Sequence, residues 1–183
     1  ANMAEAKVLQ ARNPLAKFGA GPFADLTKAE FRHRHSMVPP AVIPRGVEVT
    51  STEEAIRLRG ATVDWRTQGA VTHVKDQGHC GSCWSFSTTG QIEGQTKICN
   101  KTLVSLSEEN LVDCAHNDPN HGCQGGNMLT AMQFLVQSQK GGIDTEASYP
   151  YTAGNGQAGE CKFSAANVGA TITGAKTLAQ DED

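Results

Sequence analysis

The chain is 183 residues long and carries 16 Lys and Arg against 19 Asp and Glu, a formal charge of −3. With 38% apolar and 19% charged residues it is too apolar for a disordered chain and too weakly charged for a coiled coil. No run approaches the ~18 apolar residues of a membrane span, and the slightly acidic balance gives no support for nucleic-acid binding. The first residues, Ala1 to Glu5, have neither the basic start nor the apolar core of a targeting peptide. A start without Met leads us to expect a chain that begins partway through a longer one. The charge is also unevenly spread: residues 1–60 hold nine basic and six acidic side chains, the rest seven and thirteen. A basic leader joined to an acidic body suggests two parts that attract each other.

In chain order, residues 2–12 are rich in helix formers, with Met3, Ala6, Val8 and Leu9 at helical spacing, and Asn13-Pro14 ends the helix. Phe18 and Phe23 fall in an extended stretch. Thr27 reads as an N-cap whose capping box is completed by Glu30. The three prolines between His33 and Arg45 mark a linker. A new unit starts near Ala61. A helix is expected from Ser82 or Cys83 to about Asn100, with Trp84, Ile92 and Ile98 buried and Glu93 paired with Lys97. A second runs from Ser107-Glu108-Glu109 to Cys114. A third covers about Asn127 to Gln139, with Leu129, Met132, Leu135 and Val136 inward and Gly141-Gly142 stopping it. Residues 168–173 are the first convincing strand.

All six cysteines follow residue 60: Cys80, Cys83, Cys99, Cys114, Cys123 and Cys161. That density implies either a disulfide framework made in an oxidising compartment or a metal site. The sequon Asn100-Lys101-Thr102 favours the secretory route. Three readings compete for the Cys80-Gly81-Ser82-Cys83 segment. A redox dithiol usually has Trp before its first Cys and a βαβ setting; here Trp84 follows the second, and no βαβ pattern surrounds it. A zinc site could draw on Cys80, Cys83, Cys114, His116, His121 and Cys123, in a pattern less regular than structural fingers. The third reading makes Cys83 a nucleophile. In the first turn of a long helix its thiolate gains from the macrodipole. Gln77, six residues earlier, can aim its amide at a substrate carbonyl, and with the Cys83 backbone N–H would form a two-donor oxyanion hole. Small residues at 81 and 82 would let a substrate backbone approach.

Cys80-Gly81-Ser82-Cys83-Trp84 resembles the active-site signature of papain-like cysteine proteases. Asp64-Trp65-Arg66, Leu106 to Cys114, Gly122-Cys123-Gln124-Gly125-Gly126 and Tyr149-Pro150-Tyr151 are similar to further family blocks. Val168 to Gly174 is similar to the cathepsin L branch, cruzipain-type enzymes in particular. The leader resembles the end of the family's inhibitory propeptide, whose Gly-x-Asn-x-Phe-x-Asp motif is matched by Gly19 to Asp25 except that Gly21 stands for Asn.

The resemblance implies an α+β, papain-like two-domain fold, of which this chain would hold mostly the helical left domain. Residues 1–59 would be propeptide end and linker, and residues 60–183 the first part of the peptidase domain, with the right domain largely missing. It implies a cysteine endopeptidase acting on protein and peptide substrates through an acyl-enzyme, with the chain's own propeptide as intramolecular inhibitor. Cys83 would attack, Gln77 would stabilise the oxyanion, and no metal or cofactor would take part. By family position Cys80 pairs with Cys123 and Cys114 with Cys161, leaving Cys83 free; Cys99 would be a buried thiol or pair with the missing half. Gly81, Gly125 and Gly126 would face the substrate backbone, and Asn127 and Met128 would line the pocket for its second side chain before the scissile bond. The family's His lies ~130–150 residues after its Cys, and none of the six histidines here has that setting, so an incomplete and inactive zymogen fragment is expected. The alternative is a papain-fold binding or inhibitory protein without catalysis. A lysosomal, endosomal or secreted protein follows, matured by acid-driven cleavage near Arg59-Gly60 that His33 and His35 assist.

Overall fold

A computed structural model describes residues 2–21, 23–34 and 63–175. The linker, the histidines 33 and 35 as side chains, and the maturation site at Arg59-Gly60 lie outside the described residues, as do residues 176–183.

In the leader, α1 spans Asn2–Arg12 and α2 spans Lys28–Arg34. The capping box forms as expected: the Glu30 amide donates to Thr27 Oγ1 (3.2 Å) and the Thr27 amide to Glu30 Oε2 (2.7 Å). These bonds hold the exposed Glu30 carboxyl below its ordinary range. The turn between the helices is tied by side chains. Asn2 Nδ2 donates to the carbonyls of Ala24 and Leu26, and Gln10 both donates to the Ala16 carbonyl and accepts from the Phe18 amide. Phe23 and Phe31 meet edge to face at 5.7 Å. None of the α1 residues is buried.

The body is built around α3 (Cys83–Asn100), α4 (Glu108–Cys114) and α5 (Met128–Ser138), with a small antiparallel pair, β1 (Gly142–Asp144) and β2 (Val168–Thr171). Helix α3 packs on α4 and α5. Trp84, Ile92, Leu106, Leu111, Ala131, Met132, Leu135, Ile143 and Ala170 form one core, and each large aliphatic buried there contributes roughly 1.5–3 kcal/mol. Asn127 caps α5 by accepting from the Leu129 and Thr130 amides, and Ser107 caps α4 by accepting from the Asn110 amide. Helix α5 stops at Lys140 and Gly141, both at positive φ; a Cβ on Gly141 would lie 1.9 Å from the Ile172 carbonyl oxygen.

Several expectations are corrected. Ile98 is 36% exposed because the last turn of α3 runs past the core. Glu93 does not pair with Lys97: it is buried, and its partner is Lys75 at 3.0 Å, while Lys97 donates to the Lys101 carbonyl. Leu129 and Val136 are only half-buried. Strand β1 lacks the alternation that marks a strand in sequence, since all three residues are buried. It pairs Gly142 with Thr171 and Ile143 with Ala170, and β2 ends at Thr171, two residues short of the expected strand.

Candidate active site at the N-terminal end of α3

Two disulfides shape this end of the molecule, Cys80–Cys123 and Cys114–Cys161. They remove three of the sulfurs a zinc site would need and exclude a Cys80–Cys83 redox pair. Cys83 and Cys99 are the free thiols. Cys99 is exposed rather than buried, because α3 presents its final turn to solvent.

Gly81 fits against the bridge: its amide donates to the Cys123 carbonyl at 2.9 Å, and a Cβ there would meet that oxygen at 2.5 Å. Its missing side chain thus serves the packing of the Cys80–Cys123 loop. Ser82, at the N-cap of α3, makes no side-chain cap; its hydroxyl instead meets Tyr151 Oη at 2.7 Å. The first-turn amides are therefore left for other partners, and those of Cys83 and Trp84 are directed at the half-buried Cys83 thiol. Burial pushes that thiol above its ordinary value, and the two amides only partly offset it. Desolvation of the anion thus works against the gain expected from the helix end.

Gln77 stands beside the thiol's helix with its amide Nε2 donating to the Cys80 carbonyl at 2.7 Å. Its own carbonyl accepts from Tyr151 Oη at 2.9 Å. Tyr151 also stacks edge-on against Phe86, with centroids 5.0 Å apart. This tyrosine was visible in sequence only as part of a Tyr-Pro-Tyr landmark; its place comes from a contact 74 residues distant.

On the far side of Cys83, Trp84 is fully buried, donates to the Gly122 carbonyl, and lies over Gly126, where a Cβ would come within 2.6 Å of the ring. Gly125 has φ 117° and its carbonyl accepts from the His121 amide. The amide and carbonyl of Gly126 take no partner among the described residues. Asn127 is 5% exposed and its Oδ1 is committed to capping α5, which makes it a scaffold residue. Met128 is half-buried against the core. Of the described histidines, His116 bonds the Asp113 carbonyl and His121 approaches Asp118 at 3.4 Å, and no described histidine bonds Cys83. Among the described residues no cluster of three His, Cys, Asp or Glu could hold a metal.

The family description "Papain family cysteine protease" matches residues 60–183. The chain belongs to the papain family. A cysteine proteinase of Trypanosoma brucei brucei is 46% identical over the full 183 residues, and cysteine proteinase B of Leishmania mexicana is 46% identical over 178. Both are about two and a half times as long, so that the chain spans 40% of each. Procathepsin L2 from the larval midgut of Tenebrio molitor superposes with a TM-score of 0.74 at 37% identity, covering 93% of this chain and 55% of that one. A recombinant stem bromelain precursor gives 0.73 at 31%, covering 94% and 53%. The papain-like fold is thus present, mainly helical with little sheet, as its left domain is. Two of the solved relatives' names, procathepsin and precursor, point to proteins bearing a propeptide.

Proposed function

We propose that this chain carries the nucleophile half of a cysteine endopeptidase. The observation that carries the reading is a half-buried free thiol, Cys83, in the first turn of an 18-residue helix, with the Cys83 and Trp84 amides directed at it. Gln77, held beside it, supplies the side-chain donor of an oxyanion hole once its amide swings from the Cys80 carbonyl to the substrate. Cys83 adds to the scissile carbonyl, the oxyanion is held by Gln77 and the Cys83 amide, and collapse expels the amine to leave a thioester that water hydrolyses. The base that activates the thiol and protonates the amine is a histidine from outside the described residues. Gly126, whose backbone groups take no partner among the described residues, pairs with extended substrate, and Met128 favours Leu, Val or Phe in the pocket beside it.

Residues 1–59 act as the end of an inhibitory propeptide in a protein that passes through an oxidising route to a lysosomal or secreted destination. Asn100, exposed at the far end of α3 about 25 Å from Cys83, takes an N-glycan there. Expression through a eukaryotic secretory pathway, followed by glycosidase treatment, should shift the wild type and leave Asn100→Gln unshifted. Equal mobility of the two before treatment would remove the glycan from the account.

The test of the catalytic reading has two arms. An activity-based electrophile should label Cys83 in a chain extended by the histidine-bearing half of a relative, with turnover of a Phe-Arg fluorogenic peptide that Cys83→Ala abolishes and Gln77→Ala lowers by ~10²-fold. Residues 1–183 alone should show no turnover, since nucleophile and base act as a unit. Hydrolysis by the extended Cys83→Ala variant would sink the proposal.

A further inference from the structure

Three buried carboxylate oxygens in the body have no donor among the described residues, Asp144 Oδ1 and the Oε2 atoms of Glu108 and Glu146, and the last two border one cavity. Glu108, on α4, is 1% exposed; its Oε1 accepts from Lys75 Nζ (2.7 Å) and Thr89 Oγ1 (2.6 Å), while its Oε2 is buried without a partner. Glu146, just after β1, repeats the arrangement. Its Oε1 accepts from the Tyr151 amide at 3.0 Å, and its Oε2 is likewise buried and unpartnered. The two side chains lie within hydrogen-bonding reach of each other and border one cavity of about 250 Å³ together with Lys75, Phe86 and Tyr151.

Two ionised carboxylates offer only acceptors to each other, and each orphan oxygen costs what any buried polar atom without a partner costs. A single proton turns this contact into an O–H···O bond that satisfies both oxygens. The surrounding charge demands the same. Lys75 is the cation at the centre, and Glu93 on α3 already bonds it at 3.0 Å alongside Glu108. His73 and Asp76, from the segment before α3, line the same cavity, and the Asp76 carboxylate is engaged by the Gly78 amide. Of the other acids of α4, Glu109 spends its oxygens on Thr152 and Ala153, and Asp113 accepts from Tyr149 Oη and the Gly159 amide. One ammonium therefore faces two carboxylates before Glu146 is counted.

We propose that Glu146 and Glu108 share one proton in the folded protein, and that this bond holds Tyr151 against the N-terminal end of α3 as a positioning residue. The proton belongs on Glu146, since Glu108 already receives an ammonium and a hydroxyl. Burial pushes the Glu146 carboxyl above its ordinary range; the Tyr151 amide and Lys75 pull it back, and Glu108 pushes it further up. From Glu146 the connection runs through the Tyr151 backbone to its hydroxyl, which bonds both Ser82 and the Gln77 carbonyl. This last consequence rests on the reading of Gln77 and Cys83 above; the shared proton does not.

A carboxyl whose folded pKa is raised stabilises the fold below its unfolded value of about 4.3, and that stability is lost as pH rises through the folded value. Thermal unfolding of the full chain between pH 4 and 8 reads it. Glu146→Gln keeps the acceptor for Tyr151 and turns a permanent N–H donor on Glu108. It should match the wild type at pH 4 and melt about 2–4 °C higher at pH 8. Parallel curves for the two proteins would overturn the shared proton. Should the variant not fold, carbon-detected NMR titration of the wild-type glutamates decides: one of the pair must titrate above the ordinary carboxylate range, and two ordinary midpoints refute the proposal. The relay is read separately. Tyr151→Phe should retain the wild-type pH slope and change the Cys83 alkylation rate roughly two- to tenfold, the equivalent of one hydrogen bond. An unchanged rate would refute the relay and leave the shared proton standing.

Discussion

Cys83 is poised by geometry and restrained by desolvation. Its thiol sits at a helix end that favours the anion, yet burial raises it above the ordinary thiol range. We therefore expect alkylation of Cys83 in residues 1–183 to be slow at pH 7 and to accelerate as pH climbs past ~8.5, the unperturbed thiol value. A rate already at its plateau by pH 7 would show that the helix end wins. At the same scale, Gly126 is a position where substitution should be felt. An alanine Cβ would lie 2.6 Å from the Trp84 ring and 2.7 Å from Asn120 Oδ1, and neither neighbour can easily give way. Overpacking of this kind costs about 1–3 kcal/mol, so Gly126→Ala should lower the denaturant midpoint accordingly. Both effects depend on atoms brought together from distant positions. The motif around residue 83 made the cysteine legible, and nothing in it disclosed the balance of burial against amides.

Elements are joined here by buried polar groups as much as by apolar ones. Lys75, from the extended segment before α3, reaches Glu93 on α3, Glu108 on α4 and the Leu106 carbonyl at 3.3 Å. Burial works against its charge, but the two carboxylates outweigh that and raise its pKa. The sign follows: this stability is fully present below about pH 10.4 and is lost only as pH rises through the higher folded value. Lys75→Met removes the cation that the buried Glu93 and Glu108 share and leaves both carboxylates without it, which should destabilise by about 3–5 kcal/mol. A urea-unfolding midpoint within error of the wild type would contradict it. Helix boundaries were readable in advance because caps announce themselves locally, as Thr27-Glu30, Ser107 and Asn127 do. The partner of Glu93 was not, because i, i+4 spacing suggests Lys97 while the interior supplies a better-placed ammonium 18 residues upstream.

Over the whole molecule, two long covalent loops constrain a body with modest sheet. They enclose sequence separations of 43 and 47 residues, for which chain entropy gives about 4 kcal/mol each. Replacing Cys114 and Cys161 by Ser should lower the melting temperature by several degrees. The Cys80–Cys123 bridge lies closer to the site, and its reduction should also loosen Gly81 and the turn that carries Gln77. Peptide mapping after mild reduction, with Cys83 alkylation followed in parallel, separates the two bridges. If reduction of Cys80–Cys123 leaves the Cys83 rate unchanged, that bridge is purely structural.

The amino-acid sequence by itself determined the family, the three body helices with the caps of α4 and α5, and the cysteine with a glutamine six residues ahead. The helices are features of local spacing, which periodicity records, whereas the family and the cysteine are carried by the resemblance of short motifs such as residues 80–84. Only the tertiary structure decided that Cys99 is exposed, that β1 pairs with β2, that Glu93 answers Lys75, and that Tyr151 bonds Gln77 and Ser82. It also decided that the Oε2 atoms of Glu108 and Glu146, each buried with no donor among the described residues, border one cavity. Each of these depends on which side chains become neighbours once the core has closed, and burial then sets the strength and sign of their charges in a way no local pattern encodes.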